Sequence, residues 1–146
     1  MLPDHHIPLY YLRLPSASLI WLGTSSALAW NLTLRALKKF KSPGKAEIAK
    51  LFARHFKLSE HIEYVKKTLI NIAVGTPGRI RGLVEAEDGV LKLEKLRYLV
   101  IDANYIDGKK RTIFDIPETV RDLFSVLAQE QIRKRIADDK LRVVFY

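Results

Sequence analysis

Short apolar runs alternate along this chain with segments of helical period. Ser18–Gly23 reads as a buried strand. Ser26–Lys41 follows as a helix, with Leu28, Leu32 and Ala36 on one face and Leu37 and Phe40 flanking it, and Ser42-Pro43-Gly44 stops it. Ala46–Ala53 is the next strand. Lys57–Lys67 is helical, with Ser59 suited to the N-cap and Ile62, Val65 and Leu69 at i, i+3 and i+7. Leu69–Val74 makes a third strand, which runs into Gly75-Thr76-Pro77-Gly78-Arg79 and a helix through Ala86 that turns Ile80, Leu83 and Val84 inward. Tyr98–Asp102, β-branched and aromatic, is a fourth strand. Pro117–Ile136 carries the clearest helical stripe, Val120, Leu123, Phe124 and Leu127. Asp115 and Glu118 have the spacing of a capping box there, with Pro117 in the first turn. Leu141–Tyr146 is the last strand.

Met1–Ser16 holds Pro3, Pro8 and Pro15 and shows no period, so residues 1–17 read as an irregular arm before a domain over 18–146. Strand and helix in regular alternation predict an α/β fold. It should have three layers, with helices on both faces of a mostly parallel sheet of about five strands. Ligands of such sheets sit at the carboxyl ends of the strands. The loops after Leu22, Val74 and Ile101 are therefore the ones to inspect.

Composition sharpens the picture. The 146 residues are 48% hydrophobic and 28% charged, enough to bury a core. There is no cysteine, which excludes a disulfide framework, a thiolate nucleophile and a cysteine-built zinc site. Lys+Arg number 25 against 16 Asp+Glu, a net +9, and the excess is concentrated in residues 1–68. That charge favours a polyanionic partner, nucleic acid first. The apolar run Ala17–Leu22, with Arg13 before it and Ala27-Leu28-Ala29 after it, has some look of a secretory leader. It is too short, and Gly23-Thr24-Ser25-Ser26 breaks it, so an intracellular, soluble protein is expected.

Two loops have chemical content. In Gly75–Arg79, Thr76 can cap a helix, Pro77 suits its first position, Gly78 admits a close ligand and Arg79 adds a cationic fork. Together these make an anion site, or simply a good helix start with a solvated arginine. Asp102 ends a strand where nucleoside triphosphatases hold Mg²⁺, but its neighbour is Ala103, and it can equally cap the following turn. The chain has no P-loop: at the only Gly-Lys pair, Gly44-Lys45, Ala46 stands where Ser or Thr is required and Lys39 where the first Gly belongs. His5, His6, His55 and His61 lack metal-ligand spacing, and no nucleophile elbow supports a serine hydrolase. Lys109-Lys110-Arg111 and Arg133-Lys134-Arg135 are short basic runs, read as nucleic-acid patches or as solvated surface. Trp21 and Trp30 read as core.

Ile70–Ile80, INIAVGTPGRI, resembles the TPGR segment of DEAD-box RNA helicases, and Leu96–Asp102 resembles the strand leading into their DEAD tetrapeptide. Ala103, Asn104 and Tyr105 replace the rest of that tetrapeptide, and Thr24–Ala29 lies where PTRELA falls in that family. Arg142–Tyr146 resembles the strand before the SAT motif. With Ala49–Phe56 and Asp107–Glu118 added, residues 24–146 are similar to the Cms family of ribosome-biogenesis proteins.

That resemblance implies a degenerate, RecA-like helicase domain without a P-loop, truncated and non-enzymatic, with no cofactor. It implies a nucleolar subunit of the 90S pre-ribosome, the small-subunit processome, supporting 18S rRNA maturation beside pre-rRNA, small nucleolar RNP components and other assembly proteins. On this reading Thr76, Pro77, Gly78 and Arg79 hold an RNA phosphate with Ser25 and Ser26 beside them. Lys38, Lys39, Lys41, Arg54, Lys109, Lys110 and Arg111 form the basic surface. An RNA-stimulated ATPase and a pure protein-interaction module are the alternatives.

Overall fold

A computed structural model describes residues 18–23, 27–38, 47–54, 56–87 and 90–146, and for 18, 27–30 and 32 the backbone alone. The expected arm over 1–17, and with it Ser25, Ser26, Lys39 and Lys41, lies outside the described residues.

Five strands form one all-parallel sheet: β1 (Ser18–Leu22), β2 (Glu47–Leu51), β3 (Ile70–Gly75), β4 (Leu96–Ile101) and β5 (Arg142–Phe145), in the order β2-β3-β1-β4-β5. The helices between them are α1 (Ala27–Leu37), α2 (Leu58–Lys67), α3 (Pro77–Glu85), α4 (Pro117–Leu127) and α5 (Glu130–Ala137). The expected α/β architecture is present. Among the described residues no helix is long and apolar enough to cross a membrane.

The strand order dictates the layers. From β1 the chain steps past β3 to reach β2, and every later connection steps back the other way. Parallel crossovers are right-handed, so reversing the direction of travel moves the connecting helix to the other face. The packing agrees. Leu34 and Leu37 of α1 cover Leu19, Trp21, Ile72, Val74, Val100 and Val144. On the opposite face Ile20, Leu22, Ala73, Leu99 and Ile101 pack beneath Ile62 and Val65 of α2, Ile80 and Leu83 of α3, Leu123 and Val126 of α4 and Ile132 of α5. Trp21 is 1% exposed, with the Tyr146 ring 5.1 Å from its own.

Four local expectations are corrected. Pro117–Ile136 is two helices, broken at Ala128-Gln129. A straight helix would carry Glu130 and Gln131 onto the buried stripe after Leu123 and Val126; the break rephases the chain so that Ile132 is buried instead. Phe124, within α4 before the break, is 60% exposed. The capping box lies one turn earlier, where Asp115 accepts from the Thr112 amide (2.7 Å) and hydroxyl (2.8 Å), leaving Ile116 as the N-cap of α4. Lys57, not Ser59, precedes α2, and its amide donates to Glu60. Leu69 falls beyond α2 and is exposed.

Gly75 ends β3 against β2: a Cβ there would stand 2.5 Å from the Leu51 carbonyl oxygen and 3.1 Å from Ile80. Backbone on one side and a buried helix on the other leave no room to yield. Gly75→Ala is expected to destabilise the fold by about 1–3 kcal/mol. Urea unfolding reads this as a lower midpoint at unchanged slope.

Candidate functional site

At the carboxyl ends of the strands, the loops after β1, β3 and β4 meet. The loop after β1 departs toward α1, and those after its neighbours β3 and β4 toward the other face, which opens a crevice beside β1. A cavity of about 500 Å³ lies there, lined by Gly23, Thr76, Pro77, Gly78, Asp107, Arg111, Ile116, Glu118, Thr119 and Asp122. The three loops singled out from sequence therefore converge, and Thr76–Gly78 border the cavity.

The side chains give this cavity the opposite character from a phosphate cradle. Thr76 is the N-cap of α3 and Pro77 its first residue, as the spacing predicts, but the Thr76 side chain makes no capping bond. Asp122 of α4 stands against this turn, since a Cβ on Gly78 would lie 2.7 Å from its Oδ2. Its Oδ1 accepts from Arg81 Nη1 at 3.0 Å. Glu118 and Asp107 add two further carboxylates. The one cation of the lining, Arg111, is tied to Asp107 through Nε (3.0 Å) and Nη2 (2.8 Å). Counting Arg81 on Asp122 with Arg111 on Asp107, the three carboxylates keep an excess of one negative charge around the turn, which disfavours a phosphate. Among the described residues no three His, Asp or Glu side chains group closely enough to hold a metal ion.

Arg79 turns away from the crevice toward α2. Its Nη2 donates to the Phe56 carbonyl at 2.9 Å and its Nη1 lies 3.1 Å from His61 Nδ1. A guanidinium only donates, so His61 accepts at Nδ1 and carries its proton on Nε2. His61 is 4% exposed, and burial first, then the Arg79 charge, hold its pKa below the ordinary histidine value. Arg79 therefore clamps α3 to the start of α2.

Asp102 takes the turn-capping alternative. It is 8% exposed and its Oδ1 accepts from the Tyr105 amide at 3.2 Å. Burial raises its pKa, opposed by the amides of Tyr105 and Asn104. The buried Trp21 indole N–H stands near enough to favour the ionised carboxyl slightly, without reaching hydrogen-bond geometry.

The basic residues divide in a similar way. In the first basic run Lys109 and Lys110 are exposed, while Arg111 is held by Asp107, whose Oδ1 also accepts the amides of Lys109 and Arg111. Arg135 donates to the Leu96 carbonyl (2.9 and 3.2 Å) and joins α5 to β4, whereas Arg133 and Lys134 are exposed. Lys38 and Arg54 are exposed, far along the chain from the crevice loops. Sequence reasoning missed Glu118 and Asp122, although their i, i+4 spacing in the first turns of α4 puts both on one face.

The model of a family described as U3-containing 90S pre-ribosomal complex subunit, CMS1, matches residues 14–146. Protein CMS1 of Chaetomium thermophilum is 44% identical over 115 residues, 77% of this chain and 45% of the relative. Protein CMSS1 of Danio rerio is 42% identical over 118 residues, 81% of this chain and 39% of the relative. Protein CMSS1 of Homo sapiens is 39% identical over 103 residues, 70% of this chain and 36% of the relative. The matched part of the chain thus spans less than half the length of these relatives.

The clamp predicts a pH dependence. The folded state lowers the pKa of His61 below its unfolded value of 6.5, so its contribution is complete above about pH 7 and is lost as pH falls through the folded pKa. Urea midpoints between about pH 7 and 5 should fall less steeply for His61→Gln, which still offers Arg79 an acceptor but does not titrate. Parallel curves for the two proteins would show that His61 is not linked to folding.

Proposed function

The chain belongs to the CMS1 family of U3-containing 90S pre-ribosomal complex subunits, and on that premise we propose that it is a non-catalytic scaffold of the small-subunit pre-ribosome. It works in the nucleolus and supports 18S rRNA maturation by holding pre-rRNA and neighbouring assembly proteins, without turning over nucleotide. The observation that carries this reading is Asp102. At the end of β4, where a hydrolase of this architecture would present an ionised carboxylate to a metal-bound triphosphate, Asp102 is buried and engaged by the Tyr105 amide. Its neighbour is Ala103, which supplies no second carboxylate to orient water.

RNA contact is supported by the net +9 of the chain, since phosphate neutralisation provides the sequence-independent part of such binding. In this reading the amide N–H groups of Thr76 and Gly78 and the Thr76 hydroxyl contribute uncharged donors at the margin of the crevice, while the phosphates are held elsewhere. Arg79 contributes by holding that turn in place through α2. The electrostatic attraction has to come from exposed lysines and arginines elsewhere, because Asp107, Glu118 and Asp122 surround the turn.

The test uses the tagged chain in a eukaryotic cell and the purified chain in vitro. Cosedimentation with 90S-sized particles and crosslinks to pre-rRNA are expected, with no RNA-stimulated phosphate release from Mg-ATP. Phosphate release stimulated by RNA would overturn the non-catalytic reading. Particle association with crosslinks to protein only would replace the RNA scaffold by a protein-interaction module.

A further inference from the structure

A second cavity differs from the crevice in both place and sign. It lies between α1 and the edge strand β2, has a volume of about 330 Å³, and is lined by Asn31, Leu34, Arg35, Lys38, Glu47, Ile48 and Lys50. Asn31, Arg35 and Lys38 fall at i, i+4 and i+7, one stripe at the end of α1. Lys50 faces them from β2: it pairs with Val74 and shares that row's side of the sheet, the side α1 covers. Partly buried Leu34 and Ile48 make the floor, and all three cations are exposed. The single carboxylate, Glu47, accepts a hydrogen bond from Tyr64 of α2 at 3.2 Å, which draws it toward the other face.

We infer that this α1–β2 groove, rather than the crevice at the strand ends, is where the chain binds the phosphate backbone of single-stranded RNA. Three cations converge on one concave surface over an apolar floor, with Asn31 at one end to donate or accept at a ribose or a base. The contrast with the crevice carries the point. Among the described residues one cavity presents three cations and a partnered carboxylate, the other three carboxylates of which two are paired with Arg111 and Arg81. A polyanion gains Coulomb energy and releases counterions at the first and is repelled at the second. Arg35 and Lys38 also face the negative end of the α1 dipole, which weakens but does not cancel their charge. The inference rests on the RNA-contacting reading above and specifies its surface.

The test titrates the 146-residue chain against a labelled oligouridylate of about 20 nucleotides, between about 50 and 200 mM salt. The variants are Arg35→Ala/Lys38→Ala/Lys50→Ala and a control, Arg97→Ala/Arg121→Ala/Arg133→Ala, which removes the same charge at exposed positions of β4, α4 and α5. Circular dichroism and a urea midpoint establish that each is folded. The groove variant should lose roughly tenfold or more in affinity, and its log–log salt slope should flatten by about two, the value for three contacts on a single strand. The control should lose clearly less on both measures. Equal losses in the two variants would mean that diffuse net charge binds RNA, and would overturn the groove alone. An unflattened slope in the groove variant would do the same. Binding of polyglutamate but not RNA by the unaltered chain would instead overturn both the groove as an RNA site and the RNA reading beneath it.

Discussion

The connection from β1 to β2 leaves in one direction and every later connection returns in the other, and handedness turns that path into architecture. Among the described residues, right-handed crossovers place α1 over one face of the sheet and α2 to α5 over the opposite face. Two concave surfaces follow from the same constraint. Divergent loops around β1 open the crevice at the strand ends, and α1, lying over the end of the sheet that β2 edges, leaves a groove along that strand. Neither needs a special sequence motif. What the sequence decides is the charge each receives.

That allocation separates the two surfaces. The start of α3 offers unpaired amides and the positive end of a helix dipole, an arrangement that attracts an anion. Asp122 already stands there, fixed from behind by Arg81, whose Nε also reaches Glu85 at 3.0 Å. The favourable interaction that a bound phosphate would make with the helix is thus made by a side chain of α4. It joins α3 to α4 in every copy of the folded chain, with or without a ligand. Arg79 does the corresponding work on the other side, joining α3 to α2. Arg79, the charged group of this turn, is thus engaged in packing, and the exposed cations of α1 and β2 remain for a polyanion.

The fold was legible where a local pattern is also the global one. The run Ile72–Val74 is apolar throughout because both faces of β3 are covered there, and its strand assignment follows directly. The alternation of strands and helices likewise predicts a parallel sheet. Legibility failed where two helices share one composition. The stripe through Val120, Leu123 and Leu127 and the buried Ile132 have the same period but different phase, and a period search joins them. The surroundings of the site were hidden for a different reason. Thr76–Arg79 is readable as a helix start, but the partners of Arg79 lie 18 and 23 residues earlier, and Asp122 lies more than 40 residues later. Which residues face a turn across such distances is set by how α2 and α4 pack against α3. The basic surface read from sequence reached Lys38 but not Arg35 or Lys50, because only the α1–β2 contact makes those three a group.

Charge placement also bears on what the strand ends of this sheet can hold. Catalysis at strand ends needs carboxylates that stay ionised and unpartnered until a metal and a phosphate arrive. Here three carboxylates at the strand ends already accept hydrogen bonds: Asp102 from the Tyr105 amide, Asp107 from the amides of Lys109 and Arg111 and from the Arg111 guanidinium, and Asp122 from Arg81. Such bonds stabilise the loops over the crevice and hold them in one arrangement. They also fix how the carboxylates can turn: in Asp102 and Asp122 one oxygen is held by a donor, so a ligand would meet the other oxygen in a set orientation. A surface of lysine and arginine at a strand edge carries no such constraint: its cations are exposed, and its floor is already part of the core. Rigidity is gained at one end of the sheet and polyanion attraction at its edge, and neither compromises the other because the return path of the chain keeps the two surfaces apart.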